Sequence, residues 1–314
     1  MEPNLRFGIA QRQSFFQRFL LWTELLDPTN LVISIEKIEK SRQLLFTNED
    51  SARSNLDDQR IKDAWKMSLS TVHPDSSRLI PAVFRPAAFL PLTAPMVFLS
   101  MMPAKGIMSM VLPQVSFYAY TTAFTIINGN ASYSHTPVER VLLGGGVFAS
   151  SAFLGLLPQL AQMKYSLDNL WIKKALPVVI FAQVSGLSTF ASRSFESTRG
   201  IEVVDKEGSV LGHSRRAGRK AVRETAVSRV LLFGTSAFIP EVFTYFYRRT
   251  RFFLQKPWSL WTTKLSCTIL VMGLMVPASF SMFPQIGRAG ALPLELPCQP
   301  HRSVFLVSLS VEEN

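Results

Sequence analysis

Five apolar windows constrain the fold of this 314-residue chain more than any other feature of its sequence. A helix needs about 20 mainly apolar residues to cross the hydrocarbon core of a bilayer. The windows of about that length lie at 80–102, 141–161, 175–191, 226–247 and 265–283. A sixth candidate, 107–127, is weakened by Pro113 and by several hydroxyl side chains. The sequence therefore predicts an all-α, multi-pass membrane protein with five spans, or six if 107–127 also crosses.

The first window carries more prolines than a regular helix tolerates. Pro81, Pro86, Pro91 and Pro95 all lie within it, and each removes a backbone donor and crowds the preceding turn. In lipid the carbonyls freed in this way need partners from protein or water. We therefore expect some spans to be broken at proline, with the chain there either packed inside the bundle or lining a cavity.

Composition agrees with a membrane protein. Only 18% of the residues are charged, whereas soluble domains are usually about a quarter charged. A soluble helical protein with buried core helices is the alternative, and the number of apolar windows disfavours it. The net charge of +11 lies mainly in loops, which is typical of segments that flank spans and meet anionic lipid headgroups. Membrane lipid is therefore the predicted partner, and nucleic acid is not.

The polar parts of the chain divide it into three regions. Residues 1–79 hold eleven basic and eleven acidic side chains and predict a polar helical amino-terminal region. Residues 80–285 predict the membrane bundle, interrupted by a polar loop at 192–225, and 286–314 predict an irregular tail. Within the loop, alternation around Gly208 predicts a short β-hairpin. Basic residues in the loops leave the orientation in the membrane open.

No catalytic or metal chemistry is indicated by the sequence. Two cysteines, Cys267 and Cys298, cannot form a disulfide framework, and the four histidines lie far apart along the chain. Neither a nucleophile–base pair nor a nucleotide-binding loop is visible. We therefore predict a protein that is not an enzyme and that carries no cofactor and no metal.

Two opposite charges stand out inside the window 226–247. Arg229 and Glu241 are twelve residues apart, or about 18 Å along a helix, so they cannot pair with each other. We expect Arg229 to snorkel to the membrane interface. Glu241 is expected to be protonated, solvated, or paired with a base such as Arg85. With the neighbouring Pro240, which predicts a kink, it forms the candidate site of this window.

Short motifs spread over about residues 20–290 occur in one collinear order. They are LDPTN at 26–30, HPD at 73–75, VVDKEGSVLGHSRRAGRKAVRETAVSRVLL at 203–232, KPW at 256–258 and FPQ at 283–285. Together they resemble the sideroflexin family of mitochondrial multi-pass proteins. The residues that carry this resemblance are Asp27, Pro28, Asn30, His73, Pro74, Asp75, Asp205, Gly208, Gly212, Ser228, Arg229, Pro257, Trp258, Phe283, Pro284 and Gln285.

The resemblance implies a location and two kinds of function. It implies the mitochondrial inner membrane, import of small neutral amino acids by some members, and links to iron homeostasis and respiration. One departure bears on transport, because the family motif N-Q-S-F/Y-N reads Pro113-Gln114-Val115-Ser116-Phe117-Tyr118 here. Both asparagines are lost, and buried amides of this kind are natural ligands for an amino-acid zwitterion.

Two functional hypotheses follow. The first is an amino-acid carrier, whose candidate substrate-binding residues are Gln114, Ser116, Asn128, Arg229, Pro240 and Glu241. The alternative is a non-transporting factor that assists assembly or maintenance of respiratory chain complexes and binds their assembly proteins. A carrier requires a polar cavity near the middle of the membrane, whereas a non-transporting protein can have an apolar, fully packed centre.

Overall fold

The computed structural model describes residues 14–47, 59–73, 76–103, 106–129, 137–164, 169–205, 210–283, 286–289 and 304–307. Over these residues the chain forms eleven α-helices and four short strands. The helices are α1 (Phe15–Leu25), α2 (Ile35–Thr47), α3 (Gln59–Thr71), α4 (Pro86–Ser100), α5 (Ile107–Ile127), α6 (Pro137–Lys164), α7 (Leu170–Ser192), α8 (Ser194–Arg199), α9 (Arg215–Tyr247), α10 (Arg251–Gln255) and α11 (Ser259–Ser281). The strands are β1 (Ile201–Asp205), β2 (Val210–Ser214), β3 (Ile286–Ala289) and β4 (Val304–Val307). Two 3₁₀ turns, Pro28–Leu31 and Ala82–Phe84, precede α2 and α4.

Five helices are long and apolar enough to cross a membrane, namely α5, α6, α7, α9 and α11. The predicted helical membrane fold with five spans is therefore confirmed. The set of spans differs in one member from the expected one. The window 107–127 forms a full-length helix, whereas the window 80–102 contains only the shorter apolar helix α4.

Helix α4 begins at Pro86 because proline is favoured in the first turn, where its missing N–H is not needed. The expected break at Pro91 and Pro95 is wrong, since both lie inside the helix. The disruption is instead concentrated before Pro86, in the 3₁₀ turn Ala82–Phe84. With 15 residues, α4 is about 22 Å long. It is therefore shorter than the hydrocarbon core of about 30 Å, and its two ends cannot both reach water on opposite sides.

Helix α9 is the central element of the bundle and packs against α7, α8 and α11. Ser214 caps it by accepting a hydrogen bond from the Ala217 amide at 3.3 Å. Its 33 residues correspond to about 50 Å, which exceeds the hydrocarbon core. The basic first part, with Arg215, Arg216 and Arg219 exposed, therefore extends beyond the membrane.

The amino-terminal helices attach to one end of the bundle. Helices α2 and α3 pack together around Leu45, Ile61 and Trp65. Helix α1 lies against α11, where Trp22 stacks on Phe280 with ring centroids 4.7 Å apart.

The hairpin predicted around Gly208 is confirmed in its strands, because β1 and β2 pair antiparallel. The turn itself, with Gly208, lies outside the described residues. Strand β4 pairs with β1 and with β3, which gives the order β2-β1-β4-β3. Two strands therefore lie within the segment predicted to be irregular. The boundaries at 79 and 285 stay a prediction.

Aromatic side chains fill the middle of the bundle. Phe117 and Phe181 are the central residues of α5 and α7, and their ring centroids are 4.6 Å apart. Phe233 of α9 packs edge-on against Phe117 at 4.8 Å. Phe89 of α4 and Tyr118 of α5 complete this set, and each of the five side chains is at most 2% exposed. We call Phe89, Phe117, Tyr118, Phe181 and Phe233 the aromatic layer.

Glycine allows two close approaches that hold the bundle together. A Cβ at Gly155 of α6 would lie 2.3 Å from the Tyr118 ring, and one at Gly218 of α9 would lie 2.0 Å from the Glu196 carbonyl oxygen. By contrast, Gly145 and Gly146 have no atom within 4 Å of the equivalent position.

Gly218→Ala is expected to destabilise the protein by about 1–3 kcal/mol, because a backbone carbonyl cannot move aside as a flexible side chain can. Thermal unfolding of the purified protein in lipid nanodiscs measures the effect. Gly145→Ala is the matched control, since it adds the same methyl group to a helix position with free space and should be neutral or stabilising by up to about 1 kcal/mol. Equal melting temperatures for the two variants would contradict the close approach.

Candidate functional site

The carboxyl end of α4 receives hydrogen bonds from two neighbouring helices. Gln159 of α6 donates through Nε2 to the Ser100 carbonyl at 2.8 Å. Lys264 of α11 donates through Nζ to the Met101 carbonyl at 2.7 Å. The last carbonyls of a helix have no partners within the helix, and in an apolar layer they need protein partners. Gln159 and Lys264 supply them.

Lys264 also forms an ion pair with Glu241 of α9. The other Glu241 oxygen lies 3.9 Å from Nζ of Lys174 on α7. The Lys264 side chain is only 7% exposed and that of Glu241 19%. We call Lys174, Glu241 and Lys264 the charge cluster. Two ammonium groups share one carboxylate, so its formal charge is +1.

Four buried oxygen atoms near this end of the bundle have no hydrogen-bond partner within the described structure. They are Ser100 Oγ, Gln114 Oε1, Gln159 Oε1 and Ser236 Oγ. Helices α5 and α6 run antiparallel, because Ile126 lies against Gly144 and Tyr118 lies against Gly155. Gln114 is one turn before Tyr118 and Gln159 is one turn after Gly155, so the two glutamines lie towards the same end.

Arg229 occupies the opposite end of the bundle. Its guanidinium lies 5.1 Å from the Phe89 ring centre and 4.4 Å from that of Phe280. The residue is 8% exposed, and Nη1 is buried without a hydrogen-bond partner among the described residues. The prediction that Arg229 snorkels to the interface is wrong, because the two aromatic rings enclose its charge inside the bundle.

Glu241 finds its partners on α7 and α11 and not at Arg85. Arg85 instead donates to the carbonyls of Ile80 at 3.3 Å and Asn30 at 3.0 Å. It thereby ties the start of α4 to the 3₁₀ turn that follows α1. Sequence reasoning missed Lys174 and Lys264. Lys264 is the residue just before the window 265–283, which is the one signal that could have drawn attention to it.

The six candidate substrate residues do not form one cavity. Gln114, Pro240 and Glu241 lie towards the end that holds the charge cluster. Asn128 lies fourteen residues beyond Gln114, or about 21 Å along α5, and donates to the carbonyls of Phe84 and Phe124 at 3.0 Å. Ser116 is half-buried on α5. Arg229 shares the Asn128 side, and the aromatic layer lies between the two ends.

Several family-motif residues have structural roles at the amino-terminal side. Asp27 caps the 3₁₀ turn begun by Pro28, and hydrogen bonds from Thr29 lower the pKa of the Asp27 carboxyl. Asn30 donates through Nδ2 to the carbonyls of Glu24 and Leu25 at 3.0 and 3.2 Å. These contacts fix the bend between α1 and α2.

His73 joins the amino-terminal region to the end of α5. Its Nδ1 accepts from the Ser76 amide at 3.4 Å, so Nε2 carries the proton that is donated to the Gly129 carbonyl at 2.8 Å. The carbonyl of Ser228 accepts from Ser279 Oγ at 3.1 Å, which joins α9 to α11.

The remaining motif residues carry less information. Gly212 is buried in β2, Pro257 and Trp258 lie in the exposed turn before α11, and Phe283 follows that helix. Asp205 is described in its backbone alone. Outside the described residues lie Pro74, Asp75, Gly208, Pro284 and Gln285. Within the described ranges, no group of three His, Cys, Asp or Glu could hold a metal ion.

The fold and its buried charges define a multi-pass α-helical membrane protein. A sequence model of the family described as Sideroflexins matches residues 6–302, and the chain belongs to this family. It is 68% identical over 295 residues to Sideroflexin-4 from Bos taurus, an alignment that covers 94% of each protein. The resemblance of the motifs is therefore confirmed.

Other relatives extend this comparison. Sideroflexin-4 from Homo sapiens is 64% identical over 295 residues, which cover 94% of this chain and 88% of that protein. Sideroflexin-5 from Homo sapiens is 26% identical over 291 residues, which cover 91% and 85%. No solved structure matches the chain.

Glu241→Gln is expected to destabilise the protein by about 3–5 kcal/mol, because it leaves the buried Lys264 ammonium without a compensating charge. The double variant Glu241→Leu with Lys264→Met should recover most of this loss, since it removes both charges together. Thermal unfolding of both variants in nanodiscs tests the pair. A double variant as unstable as Glu241→Gln would contradict the assigned ion pair.

Arg229→Met is expected to unfold at a temperature no lower than the wild type, because methionine keeps the apolar contacts with both rings and removes an uncompensated charge. Arg229→Lys should be the less stable variant, since a compact, strongly hydrated ammonium cannot stack as a guanidinium does. The two melting temperatures are compared in one nanodisc preparation. A marked loss of stability in Arg229→Met alone would show that Arg229 binds a further group besides the two aromatic rings.

Proposed function

We propose that this chain resides in the mitochondrial inner membrane and acts there as a non-transporting factor in assembly or maintenance of respiratory chain complexes. Effects on iron homeostasis would follow indirectly from that role. Membership of the sideroflexin family supports the location, and the interior of the bundle supports the absence of transport. Respiratory-complex assembly proteins are the proposed partners.

The observation that carries this proposal is the position of the Lys264 ammonium. Transporters often coordinate cations with unwound backbone carbonyls and with the carboxyl ends of half-helices. Here the end of α4 meets Glu241, and Nζ of Lys264 lies between the Met101 carbonyl and the Glu241 carboxylate. A covalently attached cation therefore occupies the place where a mobile one would bind.

The aromatic layer supports the same conclusion. A carrier requires a polar cavity near the middle of the membrane, but Phe117, Phe181 and Phe233 pack together at the centre of their helices. They separate the charge cluster from Arg229 and Asn128. The described centre of the bundle thus holds five buried, mutually packed aromatic side chains, as expected of a protein that does not pass a polar solute.

Transport of a small neutral amino acid is the second candidate. Four buried oxygen atoms favour it, because they have no partner among the residues that the structure describes; they are on Ser100, Gln114, Gln159 and Ser236. Buried polar groups that lack partners are uncommon in proteins and often mark a bound water or ligand. Their position beside the charge cluster would place a solute at that end of the bundle.

Uptake into proteoliposomes separates the two candidates. The purified wild type is expected to show no saturable uptake of labelled serine, alanine or glycine above protein-free liposomes. A sideroflexin that retains both motif asparagines serves as the positive control. Saturable uptake by the wild type that is lost in Gln114→Leu would overturn the proposal and locate a transport site on α5.

The assembly role has its own test in cells. Depletion of the protein should lower the abundance of intact respiratory complexes on native gels. The wild type and Gln114→Leu should restore the intact complexes equally, because a protein that does not transport a solute does not need Gln114 to bind one. Normal complexes after depletion would contradict the assembly role.

A further inference from the structure

Lys264 is held as an ammonium ligand would be held. Its Nζ carries three N–H donors and meets two acceptors from different helices, the Met101 carbonyl and the Glu241 carboxylate. Taken as a whole residue, Lys264 is 5% exposed. Since its tether comes from α11, none of the backbone of α4 or α9 need change if the same ammonium arrives on a separate molecule.

The acceptors around Nζ suit a primary ammonium ion. The end of α4 contributes the negative pole of a helix dipole, equivalent to about half a charge, and Glu241 contributes a full negative charge. Ser100 Oγ lies at this helix end, and Gln159 Oε1 belongs to the α6 side chain that donates to the Ser100 carbonyl. Both oxygen atoms are buried without partners in the described structure. Lys174 lies 3.9 Å from the second Glu241 oxygen, so a second positive charge faces the same carboxylate.

We propose that Glu241 and the carboxyl end of α4 form a binding site for a primary ammonium group, and that Lys264 fills this site in the resting protein. The inference deepens the proposed function and rests on it, because a chain that fills its own site does not carry a solute through it. Removal of the lysine ammonium exposes a vacant site for a small alkylammonium ion.

Chemical rescue tests the site directly. Lys264→Ala is purified in nanodiscs, and its melting temperature is measured while methylammonium or n-propylammonium is added. We expect the variant to melt several degrees below the wild type and to recover, with saturation, as the amine is raised. The wild type and Lys173→Ala, which removes an exposed lysine from the same bundle end, should not respond.

Tetramethylammonium is the matched control ion, because it carries the same charge and no N–H donor. Recovery with tetramethylammonium equal to that with methylammonium would overturn the proposal and indicate simple screening. Recovery that persists in the double variant Lys264→Ala with Glu241→Ala would overturn it too, since the carboxylate would then play no part. If no amine raises the melting temperature of Lys264→Ala, the proposal is also overturned.

Poor folding of the variant does not leave the question open. The yield of monodisperse Lys264→Ala and of Lys264→Ser is compared after purification with and without methylammonium. Folded protein that depends on the amine supports the site, and a variant that fails under both conditions overturns it. Uptake by the wild type is measured separately. A failed rescue therefore counts against the ammonium site, whereas uptake by the wild type counts against the proposed non-transporting function.

Discussion

The charge cluster depends on one constraint, which is that the last carbonyls of α4 have no partners within their own helix. Gln159 and Lys264 meet that need and bring α6 and α11 to the helix end. A buried ammonium in turn needs a counter-charge, and Glu241 supplies it from α9. Lys174 lies near the same carboxylate and so links α7 to this group of helices. One unsatisfied helix end thus accounts for contacts among five helices.

The bundle keeps its two groups of polar side chains apart. The charge cluster lies on one side of the aromatic layer, and Arg229 with Asn128 lies on the other. Arg229 has no acidic partner among the described residues and is held between Phe89 and Phe280. In both places the polar groups position helices, and the aromatic layer lies between them.

Much of the fold could be predicted from local patterns, because membrane spans and hairpins are each determined by a run of consecutive residues. Window length predicted five spans, and alternation around Gly208 predicted the β1–β2 pair. The site could be predicted only in part. Glu241 and Pro240 attracted attention as a charge and a proline in an apolar window. Lys264 lies just outside another window and gave no such signal. Its contact with Glu241 joins two different helices, and no local sequence pattern relates the two residues. The enclosure of Arg229 by Phe89 and Phe280 is equally non-local.

Helix α9 has a mechanical consequence because it is unbroken from Arg215 to Tyr247. The hairpin that leads into it and the Glu241 carboxylate near its other end are attached to the same continuous helix, in which Pro240 lies just before Glu241. At Gly218 this helix packs directly against the backbone of α8, which gives it a fixed contact close to its first turn. A displacement of the hairpin is therefore applied directly to α9, and Pro240, which lacks a backbone N–H, lies between the Gly218 contact and Glu241.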